Sequence, residues 1–482
     1  MHNWNSRLTG EKIQIKALLL CTLIFIGSTM SAQITFEKTF GGDENDFGFA
    51  VGQTTDGGYI LFGQTQSFGN GLQDMYLVKT DEEGNETWSQ TYGGLDYEFG
   101  ISAQQTLDGG YILCGGYSGI GNDSLALIKT DSNGNEIWNN RFSGTASRDV
   151  GQFVQQTFDG GFIAVGFTGD APSEDIYMVK TDIDGNEEWS KVHTNSGRQL
   201  AVGVRQTSDG GYIMVGETNS ELLGEKDMYL VKTNSTGDTL WTKAFGSGQD
   251  EIGRSISITS DGGFILLGYQ DFVGGDLYLL KTDALGNEEW STYYGGSGWD
   301  MGHSVQQTTD GGFVLAGRKE NTVAGTYELY CLKTDDVGST VWESTFPNGL
   351  LSNANAVEET ADGGYILLGS ASDPFQGVNS NMYLVKVDEL GVVSVLENAA
   401  PELLVSAYPN PFADFAIIEW NDTKNRSLSL IITNSQGQVL RSQNNIENDR
   451  IRVERDNLTS GLYFFHISHG SEVIAAGKLL VK

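Results

Sequence analysis

The pentapeptide Asp-Gly-Gly-aromatic-(Ile/Val) recurs seven times, beginning at Asp56, Asp108, Asp159, Asp209, Asp261, Asp310 and Asp362, at intervals of 49 to 52 residues. A Thr stands two positions before each Asp, and a Gly seven positions after it. Self-similarity at a fixed period in this range marks a repeat architecture, whose units bury their faces only against one another.

One copy divides into four strands. Residues 100–106 form the first, the Asp-Gly-Gly turn leads to a second at 111–115, and 125–129 is the third. An Asp-x-x-Gly turn precedes a fourth, typified by 86–92. Runs of five to seven β-formers between Gly, Asp and Asn turns describe antiparallel meanders. Helical periodicity is absent, so helical solenoids are excluded. Trp88, Trp138, Trp189, Trp241, Trp290 and Trp342 recur on the fourth strand, and Tyr76, Tyr177, Tyr229, Tyr278, Tyr330 and Tyr383 on the third. Seven such units arranged radially bury both faces of each sheet, which predicts an all-β, seven-bladed β-propeller over 33–396. The last copy lacks a fourth-strand Trp, whereas residues 34–40 carry the fourth-strand pattern with Phe36 in the Trp position. That segment is expected to close the seventh blade and remove the open edges. The layout resembles WD-repeat and quinoprotein-type propellers, the Thr-x-Asp-Gly-Gly turn standing where a WD repeat has Ser-Pro-Asp-Gly. The resemblance implies that the strand before the Asp-Gly-Gly turn is innermost and the Trp strand outermost.

Residues 1–32 read as a secretory signal peptide: Arg7, Lys12 and Lys16 precede an apolar run at 17–27, and Ser31-Ala32 supply small residues before Gln33. Cys21 lies in that run, but Leu20 before it is not the small residue a lipoprotein signal favours. No other stretch has the length of a transmembrane helix. Cys114 and Cys331 occupy positions that are apolar in every other copy, so they read as core residues of different blades and not as a disulfide. The formal net charge is −34. The excess lies in the repeats, because from Ala399 onward 8 basic residues nearly balance 9 acidic ones. Such a field repels nucleic acid and favours cations or basic partners, while also serving solubility.

The strand order sorts the loops onto two faces. The Asp-Gly-Gly and Asp-x-x-Gly turns share one face and keep uniform spacing, as structural turns do. The connections between blades and the loops after each second strand share the other face and vary, which makes it the expected binding face. Near the start of each inner strand stand Asp46, Glu98, Asp149, Gln199, Glu251, Asp300 and Ser352. Five carboxylates there suit a cation site, with calcium the fitting ion, or a collar for a basic ligand. Equally, each acid can accept backbone N–H bonds within its own loop. Tyr97 and Trp299, in the same loops, suit stacking on sugar rings or loop anchoring. Asp182-Ile-Asp184-Gly185 has half of a calcium loop but reads better as a hairpin turn. The propeller holds only His193 and His303, with no Gly-x-Ser-x-Gly elbow or phosphate-cradling loop, so no catalytic residue is assigned. The recurrent Lys (Lys79 to Lys386) suits an ion pair with a nearby Asp better than chemistry.

After a linker at 397–403 the period stops, and alternation at 415–420, 428–433 and 458–465 predicts a small immunoglobulin-like β-sandwich over 404–482. Tyr408-Pro409-Asn410-Pro411-Phe412, then Leu458-x-x-Gly461-Leu-Tyr463, then the terminal Lys478-Leu-Leu-Val-Lys resemble, in that order, the type A sorting domain of the type IX secretion system of Bacteroidetes. The resemblance implies periplasmic export and passage across the outer membrane by that machinery. It also implies removal of the domain by a surface peptidase, with the cargo released or attached to surface lipopolysaccharide.

These readings describe an exported monomer at the cell surface or in the medium, binding a glycan, peptide or cation by its variable face and no nucleic acid. A polysaccharide hydrolase or lyase using the channel-mouth carboxylates, and a structural adhesion scaffold, remain open alternatives.

Overall fold

The computed structural model describes residues 33–393 and 405–482, apart from short stretches at 119–122, 145, 147, 195–196, 220–225, 272–273, 350, 374–376, 421–427, 435–438, 447–448, 457 and 470–471. The expected signal peptide and linker therefore lie outside the described residues. The chain divides into two compact units, Met1–Val393 and Ser394–Lys482. Among the described residues every regular element is a β-strand.

The first unit begins with β1 (Phe36–Phe40), followed by β2 (Asp46–Gln53), β3 (Tyr59–Thr65), β4 (Asp74–Thr80) and β5 (Glu86–Tyr92). Strands β2 to β5 form one antiparallel sheet in sequence order, and the same four-stranded sheet recurs over 97–142, 149–193, 199–245 and 251–294. Two further meanders, 301–346 and 351–387, are joined in one eight-stranded sheet by a parallel Tyr327–Leu351 pair. The last has three strands of its own, and β1 is the fourth: Phe36 pairs with Lys386 and Phe40 with Met382. Trp88 of β5 faces Lys79 in the same register.

The repeated motif is a lock. Asp56 accepts the Thr54 hydroxyl at 2.6 Å, the Gly58 N–H at 3.1 Å and the Lys79 ammonium at 3.0 Å. Lys79 donates its remaining bond to the Thr80 carbonyl at 2.7 Å. All seven lysines make this pair, at 2.8 to 3.1 Å, and all are buried. The ion pair therefore runs from the third strand back to the turn between the first two. Gly57 has φ +89°, which only glycine adopts without strain. A Cβ on Gly58 would lie 2.1 Å from the Thr80 oxygen, so the second Gly is set by close packing.

The aromatics join neighbours. Trp88 packs edge-on to Tyr111 of the next meander at 6.0 Å and lies over its Gly134, where a Cβ would meet the indole at 2.7 Å. Phe36 of β1 does the same to Tyr59 (5.9 Å) and Gly84 of the first meander. The core there draws Ile366, Leu368, Met382 and Leu384 from the last meander and Tyr59, Leu61, Tyr76 and Val78 from the first. Gln53 accepts the Ala361 N–H at 2.8 Å, as Gln105 accepts that of Thr55 at 2.9 Å. The last meander thus meets the first through the contacts that join consecutive ones. Cys114 and Cys331 are buried free thiols whose burial pushes them above the ordinary range.

Each inner strand carries a β-bulge, one unpaired residue just after its Gly or Ala. These are Phe49, Ile101, Gln152, Val202, Arg254, His303 and Asn355. A bulge re-aims a side chain out of the ladder.

In the second unit, a three-stranded sheet (Val405–Tyr408, Phe415–Trp420, Arg450–Glu454) and a four-stranded one (Val439–Ile446, Leu428–Asn434, Gly461–His469, Glu472–Val481) share one apolar core. Ala416, Ile418 and Trp420 of the first meet Leu430, Ile432, Phe465 and Ile467 of the second there.

Candidate functional site

The acids at the starts of the inner strands are buried. Asp46, Asp149 and Glu251 are 0% exposed, Asp300 1% and Glu98 3%. Several bond to the residue four positions back: Asp46 accepts the Gly42 N–H at 2.7 Å, Glu98 that of Gly94 at 3.1 Å, and Glu251 that of Ser247 at 3.1 Å. Asp46 also accepts the Ser67 hydroxyl at 2.7 Å and, very closely, that of Thr65. Asp300 accepts the Glu320 N–H at 2.8 Å, and Asp149 lies beside Thr168 and Gly144. Ser352, at the sixth connection, bonds to Asn348 in the same way as the acids. Burial raises the Glu98, Asp149 and Asp300 carboxyls above the usual range. Each acid belongs to the connection between two meanders, and among the described residues no three His, Cys, Asp or Glu converge as metal ligands.

Tyr97 and Trp299 separate. Tyr97 is 48% exposed at the start of its strand. Trp299 is half-buried against Ile252, Tyr269 and Met301, with its backbone N–H held by Glu320 at 2.6 Å.

Around Trp299 lies a group that the repeat pattern did not single out. Arg318, at the register position opposite Met301, places its guanidinium 5.2 Å from the Trp299 ring centre and 4.5 Å from that of Tyr327. Arg254 donates to the Tyr269 hydroxyl at 2.9 Å and lies 5.4 Å from its ring. His303 stands 6.3 Å from the Tyr269 ring, and its Nδ1 bonds Asn355 at 3.1 Å. Asn355 in turn takes the Asn353 amide at 2.7 Å and donates to the Gly48 carbonyl at 2.7 Å. Three consecutive bulges thus contribute Arg254, His303 and Asn355, while Phe49, Ile101 and Val202 supply apolar groups at the same position elsewhere.

Burial and the neighbouring Arg254 charge lower His303 to about 4, so its ring is neutral at physiological pH. Two donors, Arg318 Nε and Trp299 Nε1, are buried without an acceptor among the described residues. Buried donors are normally satisfied, by protein, ordered water or a ligand. In the sequence that position carries Phe49, Ile101, Gln152, Val202, Arg254, His303 and Asn355 beside neighbours that vary as well, so the repeat pattern does not single it out.

The sorting residues converge on the terminal strand. Asn410 donates to the Lys478 carbonyl at 3.0 Å and accepts the Leu480 N–H at 2.7 Å. Phe412, 1% exposed, exchanges backbone bonds of 2.9 Å with Leu480 and Lys482. Gly461 pairs with Val481, and Tyr463 with Leu479. Pro409 and Pro411 shape the segment between Tyr408, whose hydroxyl reaches Glu419 at 2.6 Å, and Phe412.

No curated sequence matches the chain. Among solved structures, an ulvan lyase of polysaccharide lyase family PL25, bound to GlcA(1-4)Rha3S, is 11% identical with a TM-score of 0.50, covering 74% of this chain and 97% of its own. The WD40 domain of Pan2 from Neurospora crassa is 10% identical with a TM-score of 0.45, covering 74% and 97%. The ulvan lyase likeness, at 11% identity, speaks for the fold alone and not for a ligand. Residues 406–482 match the family of secretion system C-terminal sorting domains, the signal of type IX export, and the protein is therefore cargo delivered to the cell surface or the medium.

Proposed function

We propose that the exported chain is a seven-bladed propeller whose variable face binds an acidic saccharide at the Arg254–His303–Arg318 cluster. An immunoglobulin-like sorting domain engages the type IX machinery. The observation that carries the ligand class is the pair of buried, unanswered donors, Arg318 Nε and Trp299 Nε1, beside a second guanidinium. In a chain of net charge −34, two arginines and four aromatic or imidazole rings gathered at one arc depart from the surrounding field. Guanidinium groups suit carboxylate and sulfate oxygens, and Trp and Tyr faces suit sugar rings.

Isothermal titration with polyuronate and sulfated oligosaccharides tests this reading. Acidic saccharides bind, salt weakens them, and R318A and R254A each lower affinity about tenfold, the 1.4 kcal/mol of one charge-assisted bond. Equal binding of neutral glycans, or indifference to both variants, overturns it.

A second reading, a lyase, has one observation in its favour. A neutral His303 beside Arg254 and Tyr269 provides a base, a cation for a uronate carboxylate and a phenol within one cluster. Appearance of unsaturated uronate in the ultraviolet, lost in H303Q, distinguishes turnover from binding.

A further inference from the structure

Asp227 opens the third strand of the 199–245 meander, and Glu251 opens the inner strand of the next. Both are 0% exposed. They converge on Gly246 of the connecting loop, where a Cβ would lie 1.8 Å from Asp227 Oδ1 and 3.1 Å from Glu251 Oε2. Only glycine leaves room for the two carboxylates to face each other there.

Their surroundings differ. Glu251 is supplied with donors: the Ser247 N–H at 3.1 Å, the Ser247 hydroxyl, and the Gln270 amide at 3.0 Å. Asp227 has none, because both its oxygens are buried without a partner among the described residues. Asp250, whose carboxylate accepts the Lys226 N–H at 2.9 Å, adds further negative charge nearby. Asp276 and Asp300 face each other across Gly295 in the same framework, with the Lys319 charge acting on both. At two other connections the acid is relieved. Asp74, opposite Glu98 across Gly93, accepts the Asn70 N–H at 2.8 Å, and Asn381 replaces the acid opposite Asp46 across Gly41. A fully buried carboxylate facing a second one, with neither donor nor cation, is an unfavourable arrangement unless something neutralises it.

We propose that Asp227 and Glu251 hold a hard divalent cation of the calcium class between these two meanders. Carboxylates and the Ser247 hydroxyl are the oxygen donors such an ion takes, and two carboxylates match its charge. Export places the site where calcium is plentiful, so a modest affinity, with Kd of ~10⁻⁴ to 10⁻³ M as in extracellular modules, suffices. The cation joins adjacent repeats, and its role is distinct from saccharide recognition.

The test is thermal unfolding of the full secreted chain in chelator and in increasing calcium chloride, together with equilibrium dialysis of calcium. The wild type melts higher as calcium rises, since a ligand bound only to the folded state stabilises it. D227N and E251Q each bind one calcium fewer per chain and show a smaller calcium-dependent rise. Should either variant fail to fold, the wild-type dialysis still decides. A melting temperature indifferent to calcium and chelator overturns the proposal. So does an unchanged calcium stoichiometry in folded D227N. A wild type that binds no calcium, while D227N raises stability by itself, assigns a shared proton to the pair and equally overturns it.

Discussion

Replacing Asp362 by Asn removes one charge from the most deeply buried of the seven ion pairs and alters little else. Lys386 is 0% exposed, and among the described residues its ammonium bonds only Asp362 and the Val387 carbonyl, each at 3.1 Å. An Asn keeps an oxygen for the Thr360 hydroxyl (2.5 Å) and the Gly364 N–H (3.1 Å), so the turn survives. What remains is a buried ammonium without its counter-ion. Breaking a buried pair in this way costs ~3–5 kcal/mol, and the lower end applies because the Asp362 side chain is 38% exposed. The pH dependence supplies a second reading. Burial already holds Lys386 below the ordinary lysine range, with Asp362 opposing that shift, so D362N lowers it further. Between that depressed value and the ordinary one near ~10.4, the unfolded state binds more protons, and the stability of D362N rises with pH. Replacing both residues, K386M with D362N, restores most of the loss and abolishes the slope. Urea unfolding followed by Trp fluorescence from pH 7 to 10 measures all three proteins. D362N within ~0.5 kcal/mol of wild type at pH 7, or a double variant no more stable than the single, refutes the lock as a structural element.

Three further outcomes are expected. F36A loses ~3 kcal/mol by emptying the seat over Gly84 and Tyr59, while F36W, the residue used in the other meanders, stays close to wild type; equal melting of F36A and wild type counts against closure by β1. Burial raises the Glu358 carboxyl to about 7, against the Gln53 N–H that opposes it, so the folded state holds a proton that the unfolded state has released between pH 4.5 and 7. Stability contributed by protonated Glu358 falls across that window, and E358Q melts higher than wild type at pH 8, with an unchanged melting point opposing the assignment. A reporter fused to residues 404–482 and given a signal peptide reaches the surface or medium, and N410A, which removes both bonds to the terminal strand, leaves it in the periplasm; surface delivery of the variant would show that this contact is dispensable.

The architecture was legible because each feature of the repeat has a single local cause. Asp-Gly-Gly is needed where a left-handed Gly, a close approach and a Lys acceptor coincide, and Phe36 mimics the Trp strand because it fills the same seat. The acids Asp46, Glu98, Asp149, Glu251 and Asp300 were also visible, but sequence alone does not say whether a periodic carboxylate faces solvent or its own loop. Their burial, and the bonds of Asp46, Glu98 and Glu251 to residue i−4, are tertiary facts. The Arg254–His303–Arg318 cluster was hidden for a different reason. Arg254 and His303 sit on bulges that re-aim one residue per inner strand, and a bulge leaves no mark on the alternation of its neighbours, while Arg318 joins them from the next strand. Asp227 escaped notice because its partner Glu251 comes from another meander, at a separation that strand periodicity does not encode.

The central claim, that the variable face recognises an acidic saccharide through the two arginines, is tested most directly by titrating one polyuronate oligosaccharide into wild type and R318A at low and high salt. The account predicts saturable binding by the wild type that weakens as salt rises, and about a tenfold loss in R318A with a shallower salt dependence. Wild-type binding that ignores salt and survives R318A unchanged would contradict it.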